Sequence, residues 1–147
     1  MDLWQLIKHD HDNVNELFRQ ILSQSSGGLR DRLFRQLKDE LDLHTKVEED
    51  LFYPALAQFE ETRKFLPDAR SEHAEMKKRL EALRQGDKDS EQWAQRFSEL
   101  KALVQHHVRD EEDKIFPAAR QVIDAARAEE LKRQIEREKT AVLQEHF

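Results

Sequence analysis

The chain has 147 residues, 37% hydrophobic and 38% charged, with 3 Gly and 3 Pro, a length and balance that suit one domain of amphipathic helices with narrow apolar stripes. A formal charge of −6 without any concentrated basic stretch argues against a nucleic-acid partner. The absence of cysteine excludes disulfides, thiolate catalysis, zinc–thiolate sites and iron–sulfur clusters.

In chain order, the first predicted helix runs roughly from Asp2 to Ser23, with Leu3, Leu6, Ile7, Val14, Leu17, Phe18 and Ile21 on one stripe, and SSGG at 25–28 stops it. The opening stretch MDLWQLIKHDHD turns polar too soon for a signal peptide. No run approaches the ~18 apolar residues of a membrane span, so the expectation is a cytoplasmic protein with no membrane partner. The second helix begins near Leu29 and carries Leu33, Phe34, Leu37, Leu41, Leu51 and Phe52, with Pro54 close to its end. Pro67 and Asp68 open the third, which continues through Ala69, Met76, Leu80 and Leu83 until GDKD at 86–89. Ser90 and Glu91 open the fourth, whose stripe is Trp93, Phe97, Leu100, Val104, Ile115 and Val122, and Pro117 kinks it or ends its regular part. A fifth segment, about 127–146, carries Leu131, Ile135 and Val142. Short loops between long helices predict an all-α, antiparallel up-down-up-down four-helix bundle over about 2–125, in a single domain spanning 1–147. The C-terminal helix, its stripe interrupted by Glu138, is expected to cap the bundle.

Six polar residues fall on these apolar stripes. His11 lies four after Ile7 and three before Val14, His44 three after Leu41, His73 four after Ala69, and His107 three after Val104. Residues three or four apart share a helix face, so each histidine points where the leucines point. Glu48, four after His44, and Glu111, four after His107, stack on the same faces. His9 and His106 are rotated away, and His146 is terminal. A lone histidine on such a face is more often a hydrogen-bonded core residue than a ligand. Two buried carboxylates in one small core are different, because each costs several kcal/mol unless a positive charge compensates it. The spacing offers no inward Lys or Arg. A metal pair supplies the charge, and four neutral imidazoles supply further ligands.

An internal repeat supports a pair rather than a single ion. HTKVEEDLFYP at 44–54 aligns with HVRDEEDKIFP at 107–117, both reading HxxxEEDxxxP. Each follows a core histidine at nearly the same interval, His11 before His44 and His73 before His107. The chain therefore reads as two similar helical hairpins about a pseudo-twofold axis, each contributing His, His and Glu.

These elements (DHD around His11, H44-xxx-E48 with Pro54, EH at 72–73, H107-xxx-E111 with Pro117) resemble the hemerythrin-like family, also called the HHE cation-binding domain, over about residues 3–120. The resemblance implies a four-helix bundle enclosing a non-haem di-iron centre. His11 and His44 would bind one iron, His73 and His107 the other, with Glu48 and Glu111 bridging beside an oxo or hydroxo group. Oxygen-carrying members place a second histidine four residues after the third-helix histidine, where this chain has Lys77. The second iron would then have an open or water-filled position, unless Glu72, Glu75 or Glu112 reaches it. Ferritin-like sites use Glu-x-x-His in a carboxylate-rich setting, the reverse of the order here, and zinc suits the donor types but fits the paired symmetry less well.

The function expected is binding of a small diatomic ligand, O₂ or nitric oxide, for storage, delivery or sensing, by a monomer or weak homo-oligomer. The alternative is a di-iron enzyme or iron donor acting in peroxide or nitric oxide detoxification or iron–sulfur repair. Turnover calls for a proton donor or redox-active side chain near the irons. Tyr53, the chain's single tyrosine, is read as a packing residue at a helix end, which favours binding over catalysis. The runs KHDHD and EEDK are read as solvated surface apart from the named ligands.

Overall fold

The computed structural model describes residues 1–24 and 28–145, with the side chains of 144 and 145 left aside. The SSG part of the expected first stop signal and His146 lie outside the described residues. Helix α1 (Leu3–Ser23) starts at a capping box: Asp2 accepts from the Gln5 backbone N–H at 2.8 Å, while the Gln5 side chain accepts from the Asp2 N–H at 2.9 Å. Helix α2 (Gly28–Val47) runs without a break into a π-helical segment, Glu48–Phe52, and a last turn, α3 (Tyr53–Leu56). A short helix α4 (Glu60–Arg63), which the periodicity did not reveal, follows. Its connection is held by Thr62, whose buried hydroxyl donates to the Leu56 carbonyl at 2.6 Å. Helix α5 (Leu66–Gln85) has Pro67 in its first turn, and α6 (Glu91–Asp110) is capped by Ser90, which accepts from the Trp93 N–H at 3.1 Å. A second π-helical segment, Glu111–Ile115, leads into α7 (Phe116–Val122), and α8 (Ala125–Glu145) completes the chain.

Helices α1, α2, α5 and α6 form the four-helix bundle, and α8 packs alongside α1 and α2. No described helix is long and apolar enough to cross a membrane. Leu131 and Ile135 are fully buried and bring α8 into the apolar cluster of Trp4, Phe52 and Phe116. The additional helix therefore extends the core along one side, against α1, α2 and the first π-helical segment, rather than simply capping the bundle. A second apolar cluster, built around Phe18, Phe34, Trp93 and Phe97, fills the other half of the bundle. The six stripe-interrupting polar residues lie between the two clusters along every helix, so the core is two apolar blocks separated by one polar layer.

Both π-helical segments end two residues before a repeat proline. Pro54 and Pro117 cannot donate the ordinary helical hydrogen bond, and the turn ahead of each widens so that Tyr53 N–H reaches the Glu48 carbonyl and Phe116 N–H the Glu111 carbonyl. In a regular α-helix a residue five positions on points about 140° away from the first. The wider turn brings it back, so Glu48 with Tyr53, and Glu111 with Phe116, are all buried on the inward side.

One expectation is corrected at the far end of the bundle. Arg30 is an inward cation, only 5% exposed. Its guanidinium donates to the Lys88 carbonyl at 2.8 Å and the Ile21 carbonyl at 3.4 Å, and sits 5.2 Å from the Trp93 ring centre. It ties the start of α2 to the end of α1 and the α5–α6 loop. Packed within the far apolar block, it does not compensate the carboxylates of the polar layer.

Candidate metal centre

The polar layer brings His11, His44, His73, His107, Glu48 and Glu111 together. One atom from each of His11, His44, Glu48 and Glu111 lies within 4.8 Å of the others, and the same holds for Glu48, His73, His107 and Glu111, so two overlapping groups that could each hold an ion share both carboxylates. Glu111 spans the groups with separate oxygens: Oε1 is 3.1 Å from His11 Nε2, and Oε2 is 3.3 Å from His107 Nε2. Glu48 Oε1 lies 3.1 Å from His44 Nε2 and 3.0 Å from His73 Nε2. His9 and His106 are exposed and stand outside both groups. A further cluster, Glu72, His106 and Asp110, lies at the surface and shares only the outer residue Glu72 with the centre.

Each histidine presents Nε2 inward and is held from behind at Nδ1 by a carboxylate. Glu112 is 3.2 Å from His11, Asp10 3.2 Å from His44, Glu49 2.9 Å from His73 and Glu72 2.8 Å from His107. The pattern obeys the repeat. The acid preceding each hairpin's first histidine (Asp10, Glu72) serves the second histidine of that hairpin, and the acid after each inner glutamate (Glu49, Glu112) serves a histidine of the other. An Nδ1–H donated outward leaves the Nε2 lone pair facing the centre, the tautomer a metal requires. Asp10 is paired in turn with Lys139 of α8, and Glu49 with Arg70 at 3.4 Å. Parts of KHDHD and EEDK are thus this outer ring rather than plain solvated surface. The signal lay in the sequence, as an acid beside the first histidine and a doubled glutamate in each half. Glu72 and Glu112 reach the outer nitrogens, while Glu75 pairs with Arg79 at 3.0 Å on the surface.

The electrostatics demand positive charge at the layer. Burial alone would push His44 and His107 down, but Glu48 with Asp10, and Glu111 with Glu48, override it and raise them to about 10 and about 11. His11 is likewise raised against burial by Glu111 and Glu112. Burial would raise Glu48, yet the neighbouring His44 charge and hydrogen bonds hold it well below the usual carboxylate range. Without an ion, imidazolium protons carry the compensating charge, and a metal would replace them. Donor geometry points the same way. His11 Nε2, His44 Nε2, Glu48 Oε2 and Glu111 Oε1 are buried with no hydrogen-bond partner, one orphan from each member of the first group. Buried polar atoms are seldom left unpaired, and imidazole with carboxylate is a donor set that suits iron and zinc.

Tyr53 corrects the sequence reading. Its hydroxyl, fully buried, donates to Glu111 Oε2 at 2.6 Å and lies 3.2 Å from His73 Nε2 and 3.4 Å from His107 Nε2. Burial first, then the charges of Glu48 and Glu111, push the phenol well above its ordinary value. A regular helix would have turned it outward; the π-helical turn aims it at the centre. On the opposite side, Val14, Leu41, Met76 and Val104 line a cavity of about 10 Å³ that touches all four histidines.

The hemerythrin HHE cation binding domain profile matches residues 2–119. Among solved structures, the chain is similar to a hemerythrin HHE cation binding domain-containing protein from Mycobacterium kansasii, a Rv2633c homolog. The TM-score is 0.83 at 27% identity, covering 97% of this chain and 90% of that one. It is 26% identical over 133 residues to the Rv2633c protein of Mycobacterium tuberculosis, spanning 89% of this chain and 81% of that protein. It is 29% identical over 132 residues to a DNA nickase of Nostoc sp., spanning 88% of this chain but only 37% of that protein. With this profile match over most of its length, and the fold and polar layer described above, the chain belongs to the hemerythrin HHE cation-binding domain family.

Proposed function

We propose that the chain is a non-haem di-iron protein that binds O₂ or nitric oxide, with His11, His44, Glu48 and Glu111 holding one iron and His73, His107, Glu48 and Glu111 the other. The observation that carries this reading is the pair of buried donor groups sharing two carboxylates, with a carboxylate behind every imidazole. Paired imidazole–carboxylate sites in this family support iron over zinc. Bound, the metals would supply the electrons and the binding position for the diatomic ligand.

The protein's own part is positional. Glu48 and Glu111 fix the separation of the two sites and neutralise their charge. Asp10, Glu49, Glu72 and Glu112 lock each imidazole's orientation. Val14, Leu41, Met76 and Val104 keep bulk water out, and their cavity has room for about one water-sized molecule. A space of that size excludes most organic substrates.

A second reading, turnover of peroxide or nitric oxide, is favoured by one observation: Tyr53 places a phenol, a redox-active group, inside the donor set. The DNA nicking named for the Nostoc relative is not carried over, because the chain matches 37% of that protein and bears a net charge of −6, unsuited to phosphate. The two readings separate in one experiment. Iron-loaded, reduced protein is exposed to O₂ or nitric oxide and then to vacuum, and separately to peroxide. A spectrum that changes and reverts supports binding, and steady peroxide consumption supports turnover. Neither response from protein carrying two irons would defeat both.

A further inference from the structure

The two hairpins are alike in their histidines, inner glutamates and outer carboxylates, but one atom beside the inner donors breaks the likeness. Tyr53 aligns with Phe116 in the repeat. Both rings are buried against a histidine of the layer: Tyr53 lies 5.2 Å from the His73 ring at 23°, and Phe116 lies 6.3 Å from the His11 ring at 9°. The phenol oxygen therefore exists on the His73/His107 side alone.

That oxygen is spaced among the donors as they are among themselves. It is 2.6 Å from Glu111 Oε2, 3.2 Å from His73 Nε2 and 3.4 Å from His107 Nε2. His73 Nε2 is 3.1 Å from His107 Nε2 and 3.0 Å from Glu48 Oε1. Once an ion displaces the imidazolium protons, both imidazoles are neutral, with their Nδ1–H groups committed to Glu49 and Glu72. Five electron-rich atoms from five residues then converge with only the Tyr53 hydroxyl proton left between them. One proton satisfies one acceptor; a cation at their common centre satisfies all five. At the equivalent position beside the His11/His44 group there is no such fifth atom. That group's four donors are the orphans named above, and Phe116 offers only carbon.

We infer that Tyr53 Oη is a fifth protein donor to the ion held by His73, His107, Glu48 and Glu111, and that the open position lies on the His11/His44 ion. This rests on the metal reading above. It moves the vacancy expected from Lys77, an exposed residue, to the other ion. On binding, the Tyr53 O–H bond breaks, an oxygen–metal bond forms, and the proton passes to solvent without electron transfer.

The chain has 1 tyrosine, so any tyrosinate signal on iron belongs to Tyr53. The full chain is loaded with ferrous iron, oxidised in air, assayed for iron per chain, and measured by resonance Raman in its visible charge-transfer band. Tyrosinate ring modes that shift with ring-deuterated tyrosine are expected, and Tyr53→Phe is expected to lose them. With azide as the probe, Phe116→Tyr, which adds a hydroxyl on the open side, is expected to bind it at least tenfold more weakly, while Tyr53→Phe still binds it. Two irons with no tyrosinate modes would overturn the Tyr53 assignment and leave the metal reading standing. Unchanged azide binding in Phe116→Tyr would overturn the placing of the open position. Failure of the wild-type chain to take up iron would remove the metal reading and this inference together.

Discussion

Removing one outer carboxylate should loosen one ion more than the other. Glu72 is the clearest case, because its Oε1 makes the shortest of the four outer contacts, 2.8 Å to His107 Nδ1. Glu72→Ala frees the His107 ring to rotate and takes away the charge that keeps its Nε2 basic. Outer partners of this kind are worth about 10- to 100-fold in metal affinity. The Glu72 side chain is 20% exposed, so water can replace part of the contact and the effect belongs near the lower end, about 10- to 30-fold, or roughly 1.4–2 kcal/mol. Glu72→Gln, which keeps an acceptor but no charge, should fall between wild type and Ala. The assay is anaerobic competition for ferrous iron against a graded chelator, with iron counted per chain. Glu72→Ala should give up one ion early. Adding Glu49→Ala, which acts on His73 of the same group, should deepen that first step, whereas adding Glu112→Ala, which acts on His11, should bring the second step forward. A stripping curve identical to wild type, in a variant that folds, would refute the idea that these carboxylates tune the site.

Glu111→Ala removes a fully buried carboxylate that faces His11, His107 and Tyr53; breaking such a buried pair should cost the metal-free chain about 3–5 kcal/mol by denaturant unfolding. Full iron occupancy in a Glu48→Ala, Glu111→Ala double variant would contradict the shared-carboxylate assignment. The metal-free protein should also lose stability in alkali. His44 and His107 are raised from 6.5 to about 10 and about 11, so their contribution is complete below about pH 6.5 and disappears as pH climbs through those values. Glu48, lowered in the fold, acts oppositely, its contribution fading as pH falls below 4.5. Melting temperatures of chelator-stripped protein that rise between pH 8 and 11 would contradict this sign. Arg30→Met serves as a distant control: losing its charged hydrogen bonds should cost about 2–3 kcal/mol while iron content stays at the wild-type level. His106→Ala should likewise leave iron content unchanged.

The helices and their ends were legible because the chain punctuates them with local chemistry: Asp2 and Ser90 as caps, Pro67 in a first turn, GDKD as a stop. The six polar stripe residues were legible because a period of 3.6 carries a histidine or glutamate inward as surely as a leucine. What escaped depended on departures from that period or on contacts between helices. Tyr53 became an inward residue only through the π-helical turn ahead of Pro54, a change of register that α-helical spacing does not anticipate. Arg30 sits at a helix start, where its partners are carbonyls of other segments. The outer carboxylates occupy helix flanks, and their pairing crosses from one hairpin to the other for Glu49 and Glu112. The dipeptides DH and EH, and the two EE doublets, carried a hint of that ring, but only the three-dimensional repeat shows which histidine each acid serves.

Metal content tests the central claim most directly. The full chain, produced with iron supplied, is assayed for iron and zinc per chain, and its visible spectrum is recorded reduced, after O₂ or nitric oxide, and after the gas is removed. Close to two irons per chain and a charge-transfer band that depends on the added ligand are expected. A chain that binds no iron, or holds a single zinc with no response to either gas, would contradict that claim.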